Sequence, residues 1–445
     1  MTSAGERVSA EAEPTRLRRG ITPALLFVFI LGDVLGAGVY ALTGELAADA
    51  GGMTWAPVLI ALAMALLTAS SYAELVTKYP KAGGAAVFTQ RAFQRPLLSF
   101  LIGYCMLAAG VVSVAGLAVA FAGDYLGTFL SLPTAVAAPL FLLLVAALNA
   151  RGIKESVRSN LVMTAIEVTG LVLVIVLVAV AVGGGAGEPS RVLEPPADGG
   201  AGAGVLAAAL LAFYSFVGFE TSANVAEEVR GVRRVYPRAL FGALIVTGVI
   251  YLLIALASSA MLPADDLAGS SGPLLAVVEA TGFGVPAWLF SAIALIAVAN
   301  GALLTSIMSS RLLYGMAEEQ LMPRALTAVL PNRRTPWLAI VVTTALSMVL
   351  SVFGTLALLA ETVVLFLLIV FIAVNASVLA LRKDETGHRH FRTPRVLPVI
   401  ALLSCVGLLT RQRWQVWGLG LALLLLGAAV YLLVRSSAGS RNEAA

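Results

Sequence analysis

The feature that most constrains the fold of this chain is a succession of apolar segments, each about 20 residues long and nearly free of charge. A helix needs about 20 such residues to cross the hydrocarbon core of a bilayer. Of the 445 residues, 59% are hydrophobic and 12% are charged, against about 25% charged in soluble domains. The chain is therefore predicted to be an all-α polytopic membrane protein. The twelve predicted transmembrane helices are residues 22–46, 53–78, 96–126, 134–150, 157–182, 203–226, 238–262, 284–316, 336–354, 357–381, 396–411 and 414–435.

The distribution of Lys and Arg sets the orientation, because cytoplasmic loops of membrane proteins are enriched in these residues. If the N-terminus is cytoplasmic, all but three of the 29 Lys and Arg residues fall on the cytoplasmic side of the predicted spans. The exceptions are Arg191, Arg411 and Arg413. Removing one span from the count would destroy this asymmetry. The prediction is therefore twelve spans with both termini in the cytoplasm, in the plasma membrane.

Two of the predicted spans contain glycine-centred interruptions. The first holds GDVLGAGVYALTG, with Gly36, Ala37 and Gly38 at its centre, and the sixth holds FYSFVGFETSAN, with Gly218 at its centre. Lipid offers no hydrogen-bond partner to the backbone groups that an interrupted helix frees. Close packing of helices at small residues is one explanation. Because the interruptions occupy corresponding places in the chain, a binding site is the favoured interpretation.

Each interruption opens a block of five predicted spans. Since five is odd, the second block enters the membrane from the opposite side, which is the pattern of an inverted-topology repeat. The predicted organisation, in chain order, is a cytoplasmic tail at 1–21, a first repeat at 22–182, an extracellular loop at 183–202, a second repeat at 203–382, two further transmembrane helices at 396–435 and a cytoplasmic tail at 436–445.

A pair of interrupted helices also predicts a chemical class of ligand. Free N–H groups at the start of a half-helix favour a carboxylate. Freed carbonyl groups opposite favour an ammonium group. An α-amino acid carries both groups on one carbon, so two interrupted helices side by side suit an amino acid as the substrate.

Four motifs occur in collinear order between about Thr22 and Arg382: GAGVYALTG, SSYAELVTKYPKAGGAAVF, FYSFVGFETSANVAEEV, and SSRLLYGMAEEQLMPRAL followed by RRTPWLAI. Together they resemble the amino acid–polyamine–organocation permease family. The resemblance implies the leucine-transporter fold, a 5+5 inverted repeat with the substrate between helices 1, 3, 6, 8 and 10. The last two predicted spans are similar to the additional helices that the family usually carries.

The resemblance also implies a substrate site at the two interruptions. The residues implied to form it are Gly36, Ala37, Gly38, Phe213, Tyr214, Phe216 and Gly218. The three in the first span are implied to meet the substrate carboxylate, and backbone carbonyls around the three aromatic residues are implied to meet its amino group. Tyr214 stands where relatives have an aromatic lid over the substrate, and plain packing of its ring is the alternative.

Four acidic residues within the predicted spans are candidates for a functional role: Asp33, Glu167, Glu220 and Glu361. No Lys or Arg lies deep in a span to pair with them. An ionisable residue near the bilayer centre costs about 2.5–3.5 kcal/mol and indicates a function. Alternatives remain for three of them. Asp33 lines the inner vestibule or caps its helix, Glu220 caps the interrupted turn, and Glu361 is hydrated near a span end.

Glu167 is the favoured coupling residue, because it lies in mid-span in RSNLVMTAIEVTGLVL. A carboxyl group without a charged partner there binds a proton rather than staying ionised. Several proton-coupled members of the resembled family place a lysine here, where sodium sits in sodium-driven members. A glutamate changes that chemistry, since it holds a proton or ligates a cation. Asp33, Thr305 and Ser306 are further coupling candidates; hydroxyl oxygens suit small cations, although they also bond their own helix backbone.

The sequence therefore predicts a secondary active transporter of amino acids that works by alternating access and symport. A proton is the predicted coupling ion, with sodium as the alternative. A transporter or exchanger of polyamines or cationic amino acids is the second interpretation, favoured by the acidic interior. A nutrient sensor that does not transport is the third. A facilitator of the other large twelve-helix superfamily is disfavoured. Such proteins normally carry a GxxxDRxGRR-like loop after the second span, and here that loop reads TKYPKAGGAAVF.

Other classes of function are disfavoured by missing motifs. The sequence has no P-loop, no Rossmann glycine pattern, no HExxH motif and no nucleophile–histidine pair within a span, so an enzyme is not expected. His388 and His390 have no further ligands nearby, so neither a metal site nor a cofactor is predicted. The net charge of +4 reflects the excess of Lys and Arg in the loops and does not indicate nucleic acid binding. The predicted partners are an amino acid or amine, the coupling ion and the lipid bilayer.

Overall fold

The computed structural model describes residues 21–36, 38–81, 83–151, 156–196, 201–331, 333 and 335–442. Of the predicted N-terminal tail, only Ile21 belongs to the described residues, and Ala37, a predicted site residue, lies outside them. The described part of the chain is helical. Its one β-type contact is an isolated bridge between Ile21 and Val229.

The described residues form seventeen α-helices joined by short connections. They are α1 (Pro23–Leu35), α2 (Gly38–Ala50), α3 (Trp55–Lys78), α4 (Gly84–Phe93), α5 (Pro96–Phe121), α6 (Asp124–Gly127), α7 (Thr134–Arg151), α8 (Ser156–Gly183), α9 (Ala201–Tyr214), α10 (Val232–Met261), α11 (Ala264–Ala268), α12 (Pro273–Ala280), α13 (Ala287–Glu318), α14 (Trp337–Phe353), α15 (Leu356–Ala380), α16 (Val396–Leu409) and α17 (Trp414–Asn442). Short 3-10 helices occupy Pro189–Leu193, Phe219–Glu228, Arg324–Thr327 and Leu381–Lys383.

Ten segments in the described ranges are long and apolar enough to cross a membrane. Two of them, Pro23–Ala50 and Gly202–Glu228, contain the predicted interruptions. The predicted spans 336–354 and 396–411 correspond to α14 and α16, which are apolar but have only 17 and 14 residues. At 1.5 Å per residue these helices are roughly 25 and 21 Å long, shorter than the ~30 Å hydrocarbon core. The structure is thus a polytopic helical membrane protein, and the count of twelve spans stays a prediction.

The outer surface carries apolar stripes. Large apolar side chains are exposed at every fourth position along two helices: Val172, Val176 and Val180 on α8, and Ile245, Val249 and Leu253 on α10. Residues four apart share one face of a helix. Such faces are unfavourable in water and suit contact with lipid, so these stripes mark the lipid-facing sides of α8 and α10.

The helices of the two five-span blocks pack against one another in matched pairs. Helices at the same place in the two predicted blocks touch directly: α3 contacts α10, α5 contacts α13 and α7 contacts α14. The two interrupted spans touch twice, since α2 contacts α9 and α1 contacts the 3-10 helix Phe219–Glu228. Contacts between non-corresponding helices occur in exchanged pairs. α5 packs on α15 as α13 packs on α8, and α1 packs on α10 as α9 packs on α3. Exchanging the blocks therefore leaves this set of contacts unchanged.

The last helix is attached to the bundle through close contact with α5. The Tyr104 hydroxyl donates a hydrogen bond of 2.7 Å to the Leu423 carbonyl, and Phe100 stacks on Tyr431 with ring centroids 4.4 Å apart. Gly427 lies directly beneath the Tyr104 ring, since a Cβ atom at this position would lie 2.3 Å from the ring. Gly418, in the same helix, has open space where a Cβ would be.

This contrast predicts opposite effects for one substitution at two sites in α17. Gly427→Ala should lower the free energy of unfolding by about 1–3 kcal/mol, because the methyl group overpacks the contact with Tyr104. Gly418→Ala should leave stability unchanged or raise it by up to about 1 kcal/mol, since alanine is the better helix former. Thermal unfolding of the detergent-solubilised variants measures both. Equal effects of the two substitutions would contradict the described packing of α17.

Candidate functional site

The first interruption separates α1 from α2. α1 ends at Leu35 and α2 begins at Gly38, with Gly36 between them in the described chain. The end of a helix leaves its last carbonyl groups without partners inside the helix. Here the Tyr251 hydroxyl, from α10, donates to the carbonyls of Val34 at 2.8 Å and Leu35 at 2.7 Å. A side chain of another helix thus provides the bonds that lipid cannot.

The second interruption lies between α9 and the 3-10 helix Phe219–Glu228. Between them Ser215, Phe216 and Val217 form tight turns closed by backbone hydrogen bonds of 3.0–3.1 Å. Gly218 has φ of +126°, a conformation that disfavours side chains. Its N–H donates to the Glu220 carboxylate at 2.9 Å, which is the capping role considered for Glu220 as an alternative.

The two interruptions face each other directly. A Cβ on Gly38 would lie 2.9 Å from both the Cα and the Oγ of Ser215. A Cβ on Gly218 would lie 2.6 Å from the carbonyl oxygen of Asp33. In addition, the Thr221 hydroxyl donates to the Asp33 carboxylate. The structure therefore brings together Gly38, Asp33 and Gly218, and only glycine fits at the two contact points.

The aromatic residues of the second interruption point to different neighbours. The Tyr214 and Ser113 hydroxyls are 3.0 Å apart, which links α9 to α5 across the bundle. Phe213 packs edge-on against Phe371 of α15, and Phe216 packs edge-on against Tyr251. Of these three aromatic residues, Tyr214 is therefore the one that links two helices through a hydrogen bond of its side chain.

Ser215 is a polar residue that the sequence did not single out. Its hydroxyl is buried against Gly38 and has no hydrogen-bond partner among the described residues. A buried hydroxyl that gives up its water without another bond costs about 1–3 kcal/mol. An unpaired hydroxyl at the meeting point of two interrupted helices is suited to contact a polar ligand.

Glu167 is fully buried in α8, and both of its carboxyl oxygens lack a hydrogen-bond partner in the described part of the chain. Its backbone carbonyl accepts a 2.9 Å hydrogen bond from the Tyr40 hydroxyl. Its carboxyl group lies close enough to Tyr40 and Tyr251 to interact with them electrostatically. Tyr40 belongs to α2, so its hydrogen bond connects Glu167 to the helix that follows the first interruption.

A polar cluster lies one turn from Glu167 on the same helix. The Asn160 side-chain carbonyl accepts from Thr164 at 3.3 Å and from Asn300 of α13 at 3.0 Å. Thr164 also touches α1, because a Cβ on Gly32 would lie 2.2 Å from its hydroxyl. Thr164 and Glu167 are three residues apart and share a helix face. This cluster between α1, α8 and α13 was not foreseen from the sequence, where each member is one polar residue in an apolar run.

Thr305 and Ser306 lie elsewhere in the bundle. Ser306 accepts from Asn149 of α7 at 3.1 Å, and Thr305 faces Gly110 of α5. The antiparallel register of α8 and α13 sets their distance from Glu167. Gly170 lies against Ile293, and Asn160 bonds Asn300. Glu167 is therefore level with residues near 295, and the two hydroxyls lie roughly 15–16 Å further along the helix axis. The structure does not bring them to Glu167.

Glu361 differs from the other acids in having a basic partner. Arg413, in the connection between α16 and α17, donates through Nε to Glu361 at 2.9 Å and makes a second contact through Nη2. The Arg413 guanidinium also interacts electrostatically with Glu45 and Asp49 of α2. No basic residue was expected deep within a span, and Arg413 lies outside the predicted spans, but its side chain reaches Glu361 from the connection.

A second ionic cluster, the Arg382 cluster, joins the end of α3 to the segment after α15. Arg382 pairs with Glu74 at 3.6 Å, and both side chains are buried. Glu74 also accepts from the Thr393 N–H at 2.8 Å, and the Lys78 ammonium donates to the Leu381 carbonyl at 2.6 Å. These contacts fasten the end of α3 to the segment after α15.

The same segment is held by Asp384. Its carboxylate accepts from the Tyr79 hydroxyl and lies 3.4 Å from the Arg91 side chain. The hydrogen bond from Tyr79 and the charge of Arg91 hold the pKa of Asp384 below its usual range. Asp384 therefore stays ionised around neutral pH, and the contact between α3, α4 and the segment persists there.

Comparison with known proteins identifies relatives over nearly the whole chain. The family described as "Amino acid permease" matches residues 22–412. A branched-chain amino acid permease of Bacillus subtilis is 28% identical, over 98% of this chain and 97% of that protein. An uncharacterized transporter of Mycobacterium tuberculosis is 31% identical, over 94% of this chain and 92% of that protein. A methylthioribose transporter of Bacillus subtilis is 26% identical, over 96% of both.

The bonds of Tyr251 predict a measurable role at the first interruption. Tyr251→Phe should lower the free energy of unfolding by about 1–3 kcal/mol, because two buried carbonyl groups lose a hydrogen bond. Tyr431→Phe is the matched control, since the Tyr431 hydroxyl makes no hydrogen bond within the described residues. Thermal unfolding in detergent compares the two. A Tyr251 variant as stable as the Tyr431 variant would show that the carbonyls of α1 do not depend on it.

Proposed function

Because the chain belongs to the amino acid permease family, we propose that it imports neutral, branched-chain amino acids by proton-coupled symport. As a permease with ten candidate membrane-spanning segments in its described part, it is a multi-pass protein of the plasma membrane. The observation that carries the proposal is the contact between two interrupted membrane helices, one from each half of the chain. The branched-chain permease of Bacillus subtilis supports the choice of substrate.

The proposed architecture is twelve spans with a 5+5 inverted repeat and both termini in the cytoplasm. The repeats are residues 22–182 and 203–382, and 396–435 form the additional pair. The paired contacts between the two blocks support this division, because they survive exchange of the blocks. The location of nearly all Lys and Arg residues supports the orientation.

We place the substrate where the two interruptions meet. The N–H groups of Gly36, Ala37 and Gly38 are proposed to bind the carboxylate, and the start of α2 at Gly38 supplies a positive helix end. The amino group is held by carbonyl groups around Phe213, Tyr214 and Phe216, next to Gly218. Each carbonyl oxygen has two lone pairs, so those already bonded in the turns keep a second acceptor site. The Ser215 hydroxyl, which has no partner among the described residues, adds a bond, and Tyr214 with Ser113 closes one side.

A neutral side chain is favoured by the partners of the buried acids. Asp33 is bonded by Thr221, and Glu220 by the Gly218 N–H. Glu361 is paired with Arg413. A cationic substrate needs a carboxylate that is free to pair with it, since an unpaired buried charge is costly. The buried acidic residues favoured polyamines or basic amino acids as substrates in the sequence analysis. In the structure, three of those acids already have partners within the protein.

We assign the coupling proton to Glu167. Its carboxyl group has no bonding partner among the described residues, and Thr164, one turn away on α8, lies against Gly32 of α1. Movement of α1 during the transport cycle would change this environment and thereby the proton affinity of Glu167. Asn160, Thr164 and Asn300 are the neighbouring polar groups, whereas Thr305 and Ser306 lie too far along α13 to share the site. Asp33 remains a second candidate at the same interface.

Uptake into proteoliposomes tests the proposed substrate class. With an inward proton gradient, leucine, isoleucine and valine should accumulate, and arginine, putrescine and methylthioribose should not compete. A gradient of one pH unit should drive about tenfold accumulation with one proton per substrate, because tenfold corresponds to about 1.4 kcal/mol. Competition by arginine, or accumulation that requires sodium and ignores pH, would contradict the proposal.

Glu167→Gln tests the coupling residue separately from the substrate site. The amide keeps the shape of the protonated acid, so substrate exchange should continue within about twofold of the native rate. Accumulation driven by pH should fall from about tenfold to none, since no proton is released. The control is Glu279→Gln, which changes an exposed glutamate near the end of α12 and should have no effect. Native accumulation by the Glu167 variant would remove this residue from the mechanism.

A further inference from the structure

A strongly basic cleft lies between the start of α10 and the segment after α15. Its volume is about 640 Å³. The charged and polar residues in its lining are Arg233, Arg234, Arg238, Arg389 and His390, and the apolar ones are Pro237, Phe241 and Phe391. None of its four arginines makes an ion pair with a carboxylate within the described ranges. The transport mechanism proposed above uses none of these residues.

The positive charge of the cleft is reinforced by the helix that forms its wall. α10 begins at Val232 and has no acidic residue in its first turn. A helix N-terminus carries a partial positive charge and is normally accompanied by acids. Here Arg233 and Arg234 stand in that turn, and Arg389 faces them from another segment. Repulsion among these groups favours the binding of an anion with several acceptor oxygens, such as a phosphate group.

The apolar part of the cleft points to a ligand that is not purely ionic. Phe241 and Phe391 pack with ring centroids 5.8 Å apart, and Pro237 lies beside them. A free phosphate ion is fully hydrated and gains nothing from such a surface. An amphiphile with a phosphate group places its apolar portion there.

The cleft also continues into a lipid-facing surface. Arg234 and Arg238 are followed on the same face of α10 by Ile245, Val249 and Leu253, at spacings of four and seven residues. The three apolar side chains are exposed by 51%, 50% and 41%. The basic groups thus stand at the end of a stripe that faces the acyl chains of the bilayer.

From this arrangement we propose that the cleft binds the phosphate headgroup of an anionic glycerophospholipid, with an acyl chain along the exposed stripe of α10. Basic pockets at the ends of membrane helices suit such headgroups. The bound lipid would join α10 to the segment that carries Arg389. That segment is the one fastened to α3 through Glu74 and Thr393, so the lipid would hold the Arg382 cluster in place. This inference does not depend on the substrate of the transporter.

Native mass spectrometry of the full chain in a neutral detergent tests the proposal. The delipidated protein is titrated with phosphatidylglycerol or with phosphatidylcholine of the same acyl chains. One phosphatidylglycerol should bind at least tenfold more tightly than phosphatidylcholine. The combined substitution Arg234→Gln, Arg238→Gln and Arg389→Gln should weaken that binding at least tenfold, because each arginine contributes to headgroup attraction. These side chains are exposed. In the absence of lipid, the variant should therefore have the same unfolding temperature as the native protein.

A matched control separates a built site from general attraction between charges. Arg95, Arg324 and Arg395 are exposed and do not line the cleft. Their combined substitution by Gln removes the same charge and should leave phosphatidylglycerol binding within about twofold. Equal losses in the two triple variants, or none in the cleft variant, would overturn the proposal.

A third arm distinguishes a lipid from a soluble anion. Inorganic phosphate and glycerol 3-phosphate, at concentrations a thousandfold above the lipid, should displace less than half of the bound phosphatidylglycerol. The acyl chain contributes binding that these small anions lack. Full displacement at those concentrations would assign the cleft to a soluble phosphate compound and overturn the lipid proposal.

Discussion

The structure depends on one constraint: backbone groups freed within a membrane helix must find partners inside the protein. Two helices of this chain are interrupted, and each interruption has a dedicated side chain. Tyr251 donates to the last carbonyls of α1, and Glu220 accepts from the N–H of Gly218. A hydroxyl supplies the donor where carbonyls are free, and a carboxylate supplies the acceptor where an N–H is free. These partners allow a non-helical backbone to exist within the bundle, and every feature of the candidate site is built around it.

The same two interruptions are pressed against each other, which explains their composition. Gly38 touches the backbone of Ser215, and Gly218 touches the backbone of Asp33, so each contact point excludes a side chain. Close packing and ligand binding, which are alternative explanations for the glycines in the sequence, are therefore compatible here. The glycines bring the backbones together, and the polar groups that remain free lie at the junction. Tyr40, in the helix that follows the first interruption, extends this junction to α8 by a hydrogen bond to the Glu167 carbonyl.

The sequence predicted those features that are local. Apolar runs indicated the helices, paired glycines indicated the interruptions, and the mid-span position of Glu167 indicated a buried acid. It did not predict which distant residues pair across the bundle, because pairing depends on the register and rotation of packed helices. Tyr251 is one tyrosine in an apolar run, and its sequence distance from Leu35 gives no hint of their bond. For the same reason, the sequence did not show that Thr305 lies further along the axis of α13 than the level of Glu167.

The pairing of Glu361 with Arg413 has a consequence for how this chain divides into parts. The acid belongs to the tenth predicted span, and its cation lies between the last two. The two proposed repeats, residues 22–182 and 203–382, do not include this cation. A protein truncated after the tenth span would retain a buried carboxylate whose neighbours in α2, Glu45 and Asp49, are also acidic. The connection between the last two helices therefore supplies the charge partner of Glu361, and without it this carboxyl would be expected to bind a proton.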